Sequence, residues 1–149
     1  MEEQISSRQR WLGLLAKASP EWLIEQAESW VNPVAFTLIR PAEIGLAKVQ
    51  GRMGGTGSTF VLGDITLTRC VVQGPEQQVG MGFVRGRNKG HALCIAKLDA
   101  LLQLNDYHDG IEQKLLTPLE QQLMQAAKVK QQGQAATQVD FFTLVRGEA

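Results

Sequence analysis

The sequence predicts an α+β fold, with N-terminal helices, a mainly antiparallel β-sheet, a covering helix, a C-terminal helix and an apolar terminal strand or arm. Three observations lead to this prediction. Apolar residues recur at helical spacing in residues 1–33 and again from Asn88 onward. Residues 34–84 instead carry short β-branched or alternating runs, separated by glycine and proline. The connections between these runs are short and turn-forming, which is typical of an antiparallel meander.

Two helices are predicted within residues 1–33. The first begins near Ser6 or Ser7. Its apolar stripe consists of Trp11, Leu14, Leu15 and Ala18. Ser19-Pro20-Glu21 predicts the second helix, because it offers an N-cap acceptor, a preset φ at the first helical position and an acid in the first turn. We expect Asn32-Pro33 to end that helix.

Residues 34–84 are predicted to form the sheet. The apolar runs within it are residues 34–39, 46–50, 60–62 leading into 65–72, and 79–84. Pro41 separates the first two runs, which predicts two strands there. The sequence Gln73-Gly74-Pro75-Glu76 is a turn signal before the last run.

A covering helix is predicted over residues 88–104. One of its faces carries His91, Cys94, Ile95, Leu98, Leu101 and Leu102. Lys97 and Asp99 are expected to point away from the densest part of that face. Residues 105–110 are predicted to be a loop.

The C-terminal part predicts a weak helix and an apolar end. Thr117-Pro118-Leu119-Glu120 is a capping box that opens a helix over residues 117–133 with only a thin apolar stripe. Residues 139–147 are apolar on both faces when drawn as a strand, which predicts either an inner strand of the chain's own sheet or an arm on another protein. The candidate interface residues are Val139, Phe141, Phe142, Leu144 and Val145.

Length and charge limit the class of protein. The chain has 149 residues, of which 44% are hydrophobic, and we expect residues 1–149 to form one domain. Fifteen basic residues balance fifteen acidic ones, which argues against non-specific binding to nucleic acid or to an anionic membrane. The acidic start Met1-Glu2-Glu3 and the lack of a long apolar run predict a cytoplasmic protein without a targeting segment.

The glycine-rich segment Met53-Gly54-Gly55-Thr56-Gly57-Ser58 is one candidate phosphate site. Flexible residues can turn several N–H groups toward an anion, and Arg52 and Thr56 are the phosphate-binding candidates here. The segment fails the Walker pattern and the dinucleotide fingerprint. A hairpin turn is the alternative interpretation.

A second candidate site is the basic segment between the last predicted strand and the covering helix. Arg85, Arg87, Lys89 and His91 cluster where a helix N-terminus attracts anions. Guanidinium groups match phosphate oxygens in a bidentate way. The alternatives are a solvated basic loop or one that pairs with carboxylates of this chain or of a partner.

Metal and catalytic patterns are weak. His91 and Cys94 have a permissible metal spacing, but no second Cys/His pair completes a site, so we predict no metal and treat Cys94 as a core residue. Glu43 and Asp64 are possible polar site residues, with turn and edge roles as the alternatives. We predict no catalytic residue of this chain.

Several motifs resemble the small G subunit of the bacterial carbon–phosphorus lyase core complex. They are Arg52-Met53-Gly54-Gly55-Thr56-Gly57, Gly63-Asp64-Ile65-Thr66-Leu67-Thr68-Arg69, Gly86-Arg87-Asn88-Lys89-Gly90-His91-Ala92 and Val139-Asp140-Phe141-Phe142-Thr143-Leu144-Val145-Arg146-Gly147. The early Arg8-Gln9-Arg10-Trp11 also fits, so the resemblance extends over nearly the whole chain.

The resemblance implies a subunit of a two-fold symmetric hetero-oligomer with H, I and J subunits and associated ATP-binding-cassette subunits. The family takes part in phosphonate catabolism, in which an alkylphosphonate displaces adenine from MgATP to give ribose 1-alkylphosphonate 5-triphosphate. The resemblance places the iron–sulfur cluster and radical cofactor on the J subunit and gives this chain no cofactor of its own. It makes the apolar end an expected intersubunit element and leaves the basic segment open between phosphate and a partner.

Two rival functions remain at this stage. The chain could act alone as a nucleotide-binding enzyme, with Arg85, Arg87 and Lys89 holding phosphates and Glu43 or Asp64 as a polar catalytic group. It could also be a nucleic-acid or regulatory binding module that uses residues 85–91, although the zero net charge argues against this.

Overall fold

A computed structural model describes residues 2–52 and 59–133 of the chain. Their fold is α+β, as the sequence predicts: helices pack on one face of a three-stranded antiparallel sheet in the order β1-β2-β3. The elements in chain order are α1 (Glu2–Lys17), α2 (Pro20–Val31), β1 (Thr37–Arg52), β2 (Thr59–Gln73), β3 (Val79–Arg85), α3 (Lys89–Leu102), α4 (Asn105–Ile111), a π-helical turn (Glu112–Leu116) and α5 (Thr117–Gly133).

The two N-terminal helices form largely as predicted but start differently. Helix α1 extends back to Glu2, so neither Ser6 nor Ser7 caps it. Pro20 is the first residue of α2, and the helix ends at Val31, just before Asn32-Pro33. The Ser19 hydroxyl donates to the Glu21 carboxylate at 3.2 Å and makes no cap bond to a backbone N–H, so the predicted side-chain cap is wrong.

Strand β1 runs through Pro41 without a break, which corrects the prediction of two strands. Proline is tolerated there because β1 is an edge strand, so one side of it needs no ladder partner. The pairing with β2 shifts register between Leu38 and Arg40 and again between Arg40 and Glu43. These irregularities take up the residues around Pro41 and let the strand continue to Arg52.

Helix α3 covers β2 and β3 at close range. Gly80 and Gly82 point toward this helix, and a Cβ on either would overlap backbone carbonyl oxygens of Ala96 and Ala92. Glycine is required here by the close approach and not by an unusual φ. The core between helix and sheet contains Cys70, Val72, Val84, Ile95 and Leu98.

The predicted loop at residues 105–110 is helix α4, which leads through the π-helical turn into α5. Tyr107 and Ile111 pack on the core, and this packing outweighs the weak helix propensity of Asn105 and Gly110. The Thr117 N–H bonds to the Glu112 carbonyl, five residues earlier. This wider turn precedes Pro118, which has no N–H to donate.

The capping box predicted at Thr117 is wrong, because the chain is already helical before this residue and no new helix starts there. Arg10 ties α1 to this segment through Glu112 at 2.9 Å and Glu120 at 2.6 Å. Leu119 is buried, but Val129 is 65% exposed, in agreement with a thin stripe. The predicted terminal strand or arm at residues 139–147 lies outside the described residues.

Candidate functional site

The junction between β3 and α3 is held in place by the neighbouring strand β2. Gly86 has φ +91°, a left-handed conformation that favours glycine. Its N–H donates to the Thr66 carbonyl at 2.8 Å, and its carbonyl accepts from the Thr68 hydroxyl at 2.6 Å. The backbone before Arg87 is thus held by hydrogen bonds to both peptide groups that flank Gly86.

Helix α3 begins at Lys89, three residues after Gly86. The Asn88 side chain caps the helix by accepting from the His91 N–H at 2.9 Å. Arg87 and Lys89 flank the cap with exposed side chains. Within the described part of the chain neither cation forms an ion pair with a carboxylate. Two cations beside a helix N-terminus make this junction attractive to an anion.

His91 does not extend this group of cations. Its side chain is 3% exposed, and Nε2 lies 2.9 Å from the carbonyl oxygen of Leu15. The imidazole therefore joins α3 to α1 inside the protein, which argues against its predicted role as a phosphate ligand. Such a role needs a ring nitrogen that reaches the loop.

Arg85 also separates from the junction. It lies opposite Leu67 in the β2–β3 ladder and follows Val84, whose side chain is buried under α3. Because successive strand residues point to opposite faces, Arg85 belongs to the outer face of the sheet. Arg87 and Lys89 remain as the cations of the junction.

The strand ends that flank the glycine-rich candidate site lie far from the junction. Arg52 is the last residue of β1 and pairs with Thr59, the first residue of β2, so residues 53–58 connect an antiparallel hairpin. Thr56 itself lies outside the described residues. Thr59 and Leu67 are separated by about 25 Å at the usual rise of a strand. Along β2, the described end of this hairpin is therefore well separated from the junction.

A buried ion pair was missed by the sequence prediction. Asp99 is fully buried, whereas the helical pattern placed it away from the core. Its carboxylate accepts from Arg8 at 2.7 and 3.1 Å, from the Trp11 indole at 2.8 Å and from the Met81 N–H at 2.8 Å. The sequence did contain one signal of this burial. Asp99 lies four residues after Ile95, which is buried, and residues four apart share one face of a helix. These bonds join α1, α3 and β3 and position the sheet under the helices.

The other polar candidates do not assemble a catalytic group. Glu43 lies on the outer sheet face between Arg40 and Arg69, and Asp64 pairs in register with Lys48 on the exposed hairpin. Among the described residues no three His, Cys, Asp or Glu side chains are grouped so as to hold a metal.

The two cysteines are core residues. Burial raises the pKa of the Cys94 thiol to about 12, and burial likewise raises the pKa of Cys70. Both are therefore neutral thiols near pH 7.

No helix of the described residues is both long and apolar enough to span a bilayer. The fold and the junction together define a small α+β protein with an exposed cationic strand-to-helix junction. The class is compatible with many functions, so the particular family rests on sequence comparison.

The chain belongs to the family described as phosphonate metabolism protein PhnG, whose model matches residues 6–147. It is also similar to the alpha-D-ribose 1-methylphosphonate 5-triphosphate synthase subunit PhnG of Rhizobium meliloti (strain 1021). The two are 33% identical over 144 residues, which cover 97% of this chain and 92% of the relative. These matches confirm the family resemblance that the motifs indicated.

Proposed function

We propose that this chain is a subunit of a ribose 1-alkylphosphonate 5-triphosphate synthase in phosphonate catabolism. The observation that carries the proposal is the similarity over 97% of the chain to a relative named as a subunit of such a synthase. In the reaction, a phosphonate oxygen attacks C1 of the ribose of MgATP. A C1–O bond forms as the C1–N bond breaks, and the leaving base takes the bonding electron pair and a proton to become adenine.

The assembly in this proposal contains H, I and J subunits in a two-fold symmetric hetero-oligomer in the cytoplasm, with associated ATP-binding-cassette subunits. The iron–sulfur cluster and the radical cofactor of the later bond cleavage belong to the J subunit. Two features support the proposal that this chain holds neither cofactor. Its thiols are buried in the core, and burial raises the pKa of both. MgATP is a substrate of the whole complex.

In the assembled synthase, Arg87 and Lys89 hold phosphate or phosphonate oxygens. Support comes from their exposure, from the rigid peptide at Gly86 and from the N-terminus of α3 beside them. Both substrates carry phosphorus oxyanions, and charge-assisted hydrogen bonds to such groups are stronger than neutral ones. The chain supplies only part of the site, and a partner supplies the groups that act on the glycosidic bond.

Size-exclusion chromatography after co-expression with the H, I and J subunits tests membership of the assembly. We expect this chain to elute with the other subunits in mild salt. Separate elution of a folded chain would contradict the proposal.

The junction is tested separately with Arg87→Ala and Lys89→Ala in the assembled complex. We expect each variant to assemble normally and to lower phosphonate-dependent adenine release, by about tenfold for the loss of one charge-assisted bond. Lys128→Ala, on the exposed part of α5, is the matched control. Full turnover by both junction variants would remove the junction from the substrate site, and loss of assembly would assign it to a partner contact.

A further inference from the structure

The outer face of the sheet, opposite α3, carries its own pattern of residues. Gly80, Gly82 and Val84 of β3 point toward α3, so the alternate residues point outward. The outward residues of β3 are Val79, Met81, Phe83 and Arg85. Their partners on β2, in the same order, are Gln73, Val71, Arg69 and Leu67. Most of them are apolar.

The centre of this face is exposed and apolar. Phe83 is 45% exposed and Val79 is 41% exposed, while Val71 and Met81 are half-buried beside them. An antiparallel sheet with one face in water normally alternates apolar inside and polar outside. On the outer face, apolar side chains instead occupy adjacent positions of β2 and β3. A cluster of exposed apolar side chains is typical of a surface that a partner covers.

Positive charge borders the apolar centre. Glu43 lies 3.4 Å from the Nε of Arg69 and 3.6 Å from the Nε of Arg40, so one carboxylate serves two guanidinium groups that are each about half exposed. Arg85 lies diagonally across from Arg69 on the same face. Three arginines and one glutamate leave this face with an excess of positive charge, although the whole chain has a net charge of zero.

We propose that the outer sheet face, defined by Arg40, Arg69, Val71, Phe83 and Arg85, docks an acidic segment of another subunit that also carries an apolar anchor. This inference rests on the proposed function for the existence of that subunit. The anchor packs on Phe83 and Val71, and carboxylates of the segment pair with the arginines. Aromatic and arginine side chains are the residue types that most often dominate binding energy at interfaces.

The charge pattern favours such a segment over a second copy of this chain. A two-fold symmetric contact through this face would place two surfaces with the same excess of positive charge against each other. Like charges across an interface are costly. A segment with carboxylates instead satisfies the guanidinium N–H groups that Glu43 leaves free.

Two pairs of variants test the docking surface in full-length chain co-expressed with the H, I and J subunits. The double variant Arg40→Gln and Arg69→Gln removes two positive charges from the outer face. Its control is the double variant Lys128→Gln and Lys130→Gln, which removes two positive charges from exposed α5. Phe83→Ala removes the aromatic ring, and Val129→Ala is its control on α5, where Val129 is 65% exposed. The readouts are affinity for the remaining subunits in rising salt, urea denaturation of each variant, and sedimentation of the isolated chain.

We expect both outer-face variants to bind at least about tenfold more weakly while remaining folded, and both controls to bind like the parent chain. The arginine variant should also lose part of the salt dependence. Normal assembly by folded outer-face variants would overturn the docking surface and leave the proposed function intact. Self-association of the isolated chain that these variants abolish would instead assign the face to a second copy. Failure of the parent chain itself to assemble would overturn the proposed function, and the docking proposal with it.

Discussion

The carboxylate of Asp99 on α3 lies 2.7 Å from the Nη2 of Arg8 on α1, and Asp99 is fully buried. The same carboxylate accepts from the backbone N–H of Met81 at 2.8 Å. One side chain of α3 thus bonds to both α1 and β3, the strand that leads into the cationic junction. A buried carboxylate needs this number of partners, because an unpaired charge in the core is strongly destabilising.

Replacing Asp99 with Ala should lower the free energy of unfolding by about 3–5 kcal/mol, since Arg8, Trp11 and Met81 all lose an acceptor. Arg8→Ala should cost somewhat less, because the Arg8 side chain is 31% exposed and two donors to Asp99 remain. Urea denaturation of both variants and of the double variant measures the coupling between them. Additive effects would show that the two residues do not act as a pair.

Gly82→Ala should destabilise the protein by about 2–4 kcal/mol, because the added methyl group overlaps the Ala92 carbonyl oxygen and forces β3 away from α3. Gly45→Ala is the control, since a Cβ at that strand position meets nothing within 4 Å. Thermal unfolding compares the two. Equal unfolding temperatures would contradict the close packing of sheet and helix.

Stability should fall at alkaline pH because of Cys94. Burial raises its pKa from 9.0 to about 12 in the folded protein, so between these values the unfolded chain loses a proton that the folded chain keeps. The free energy of unfolding should therefore decrease as pH rises above 9, by on the order of 1 kcal/mol per unit. Below pH 9 the thiol is protonated in both states and has no effect.

Cys94→Ala isolates that contribution, because the variant lacks the thiol and keeps every other titratable group. Urea denaturation from pH 8 to pH 11 should show a flatter pH dependence for the variant than for the parent chain. Parallel curves would exclude a large shift of the Cys94 pKa.

A chain that ends at Gly133 should fold but fail to assemble with the other subunits. The last fully buried residue on α5 is Leu119, so removal of residues 134–149 spares the described core. Co-elution with the H, I and J subunits measures assembly, and a chain that ends at Gly147 is the control. Normal assembly of the shorter chain would contradict an intersubunit role for Val139, Phe141, Phe142, Leu144 and Val145.

The fold class followed from the sequence because apolar spacing records which residues face the core. Local sequence signals predicted secondary structure less well where tertiary contacts determine it. Pro41 indicated a strand break, but an edge strand with irregular register tolerates proline. Asn105 and Gly110 indicated a loop, yet Ile111 is buried and Gly110 lies close under the Trp30 ring, so packing makes the segment helical.

The candidate site was only partly predictable, for a similar reason. Sequence proximity grouped four side chains of residues 85–91, but strand alternation sends Arg85 to the outer face and helix geometry sends His91 into the core. Only Arg87 and Lys89 stay together at the junction. The contacts of Asp99 join residues far apart in the chain, and no local pattern identifies such partners.

Reconstitution of adenine release shows directly whether the synthase needs this chain. H, I and J subunits purified without this chain are assayed with MgATP and methylphosphonate, and the purified chain is then added. We predict little adenine release without the chain, restoration when it is added, and none from the chain alone. Equal adenine release with and without the chain would contradict its role as a synthase subunit.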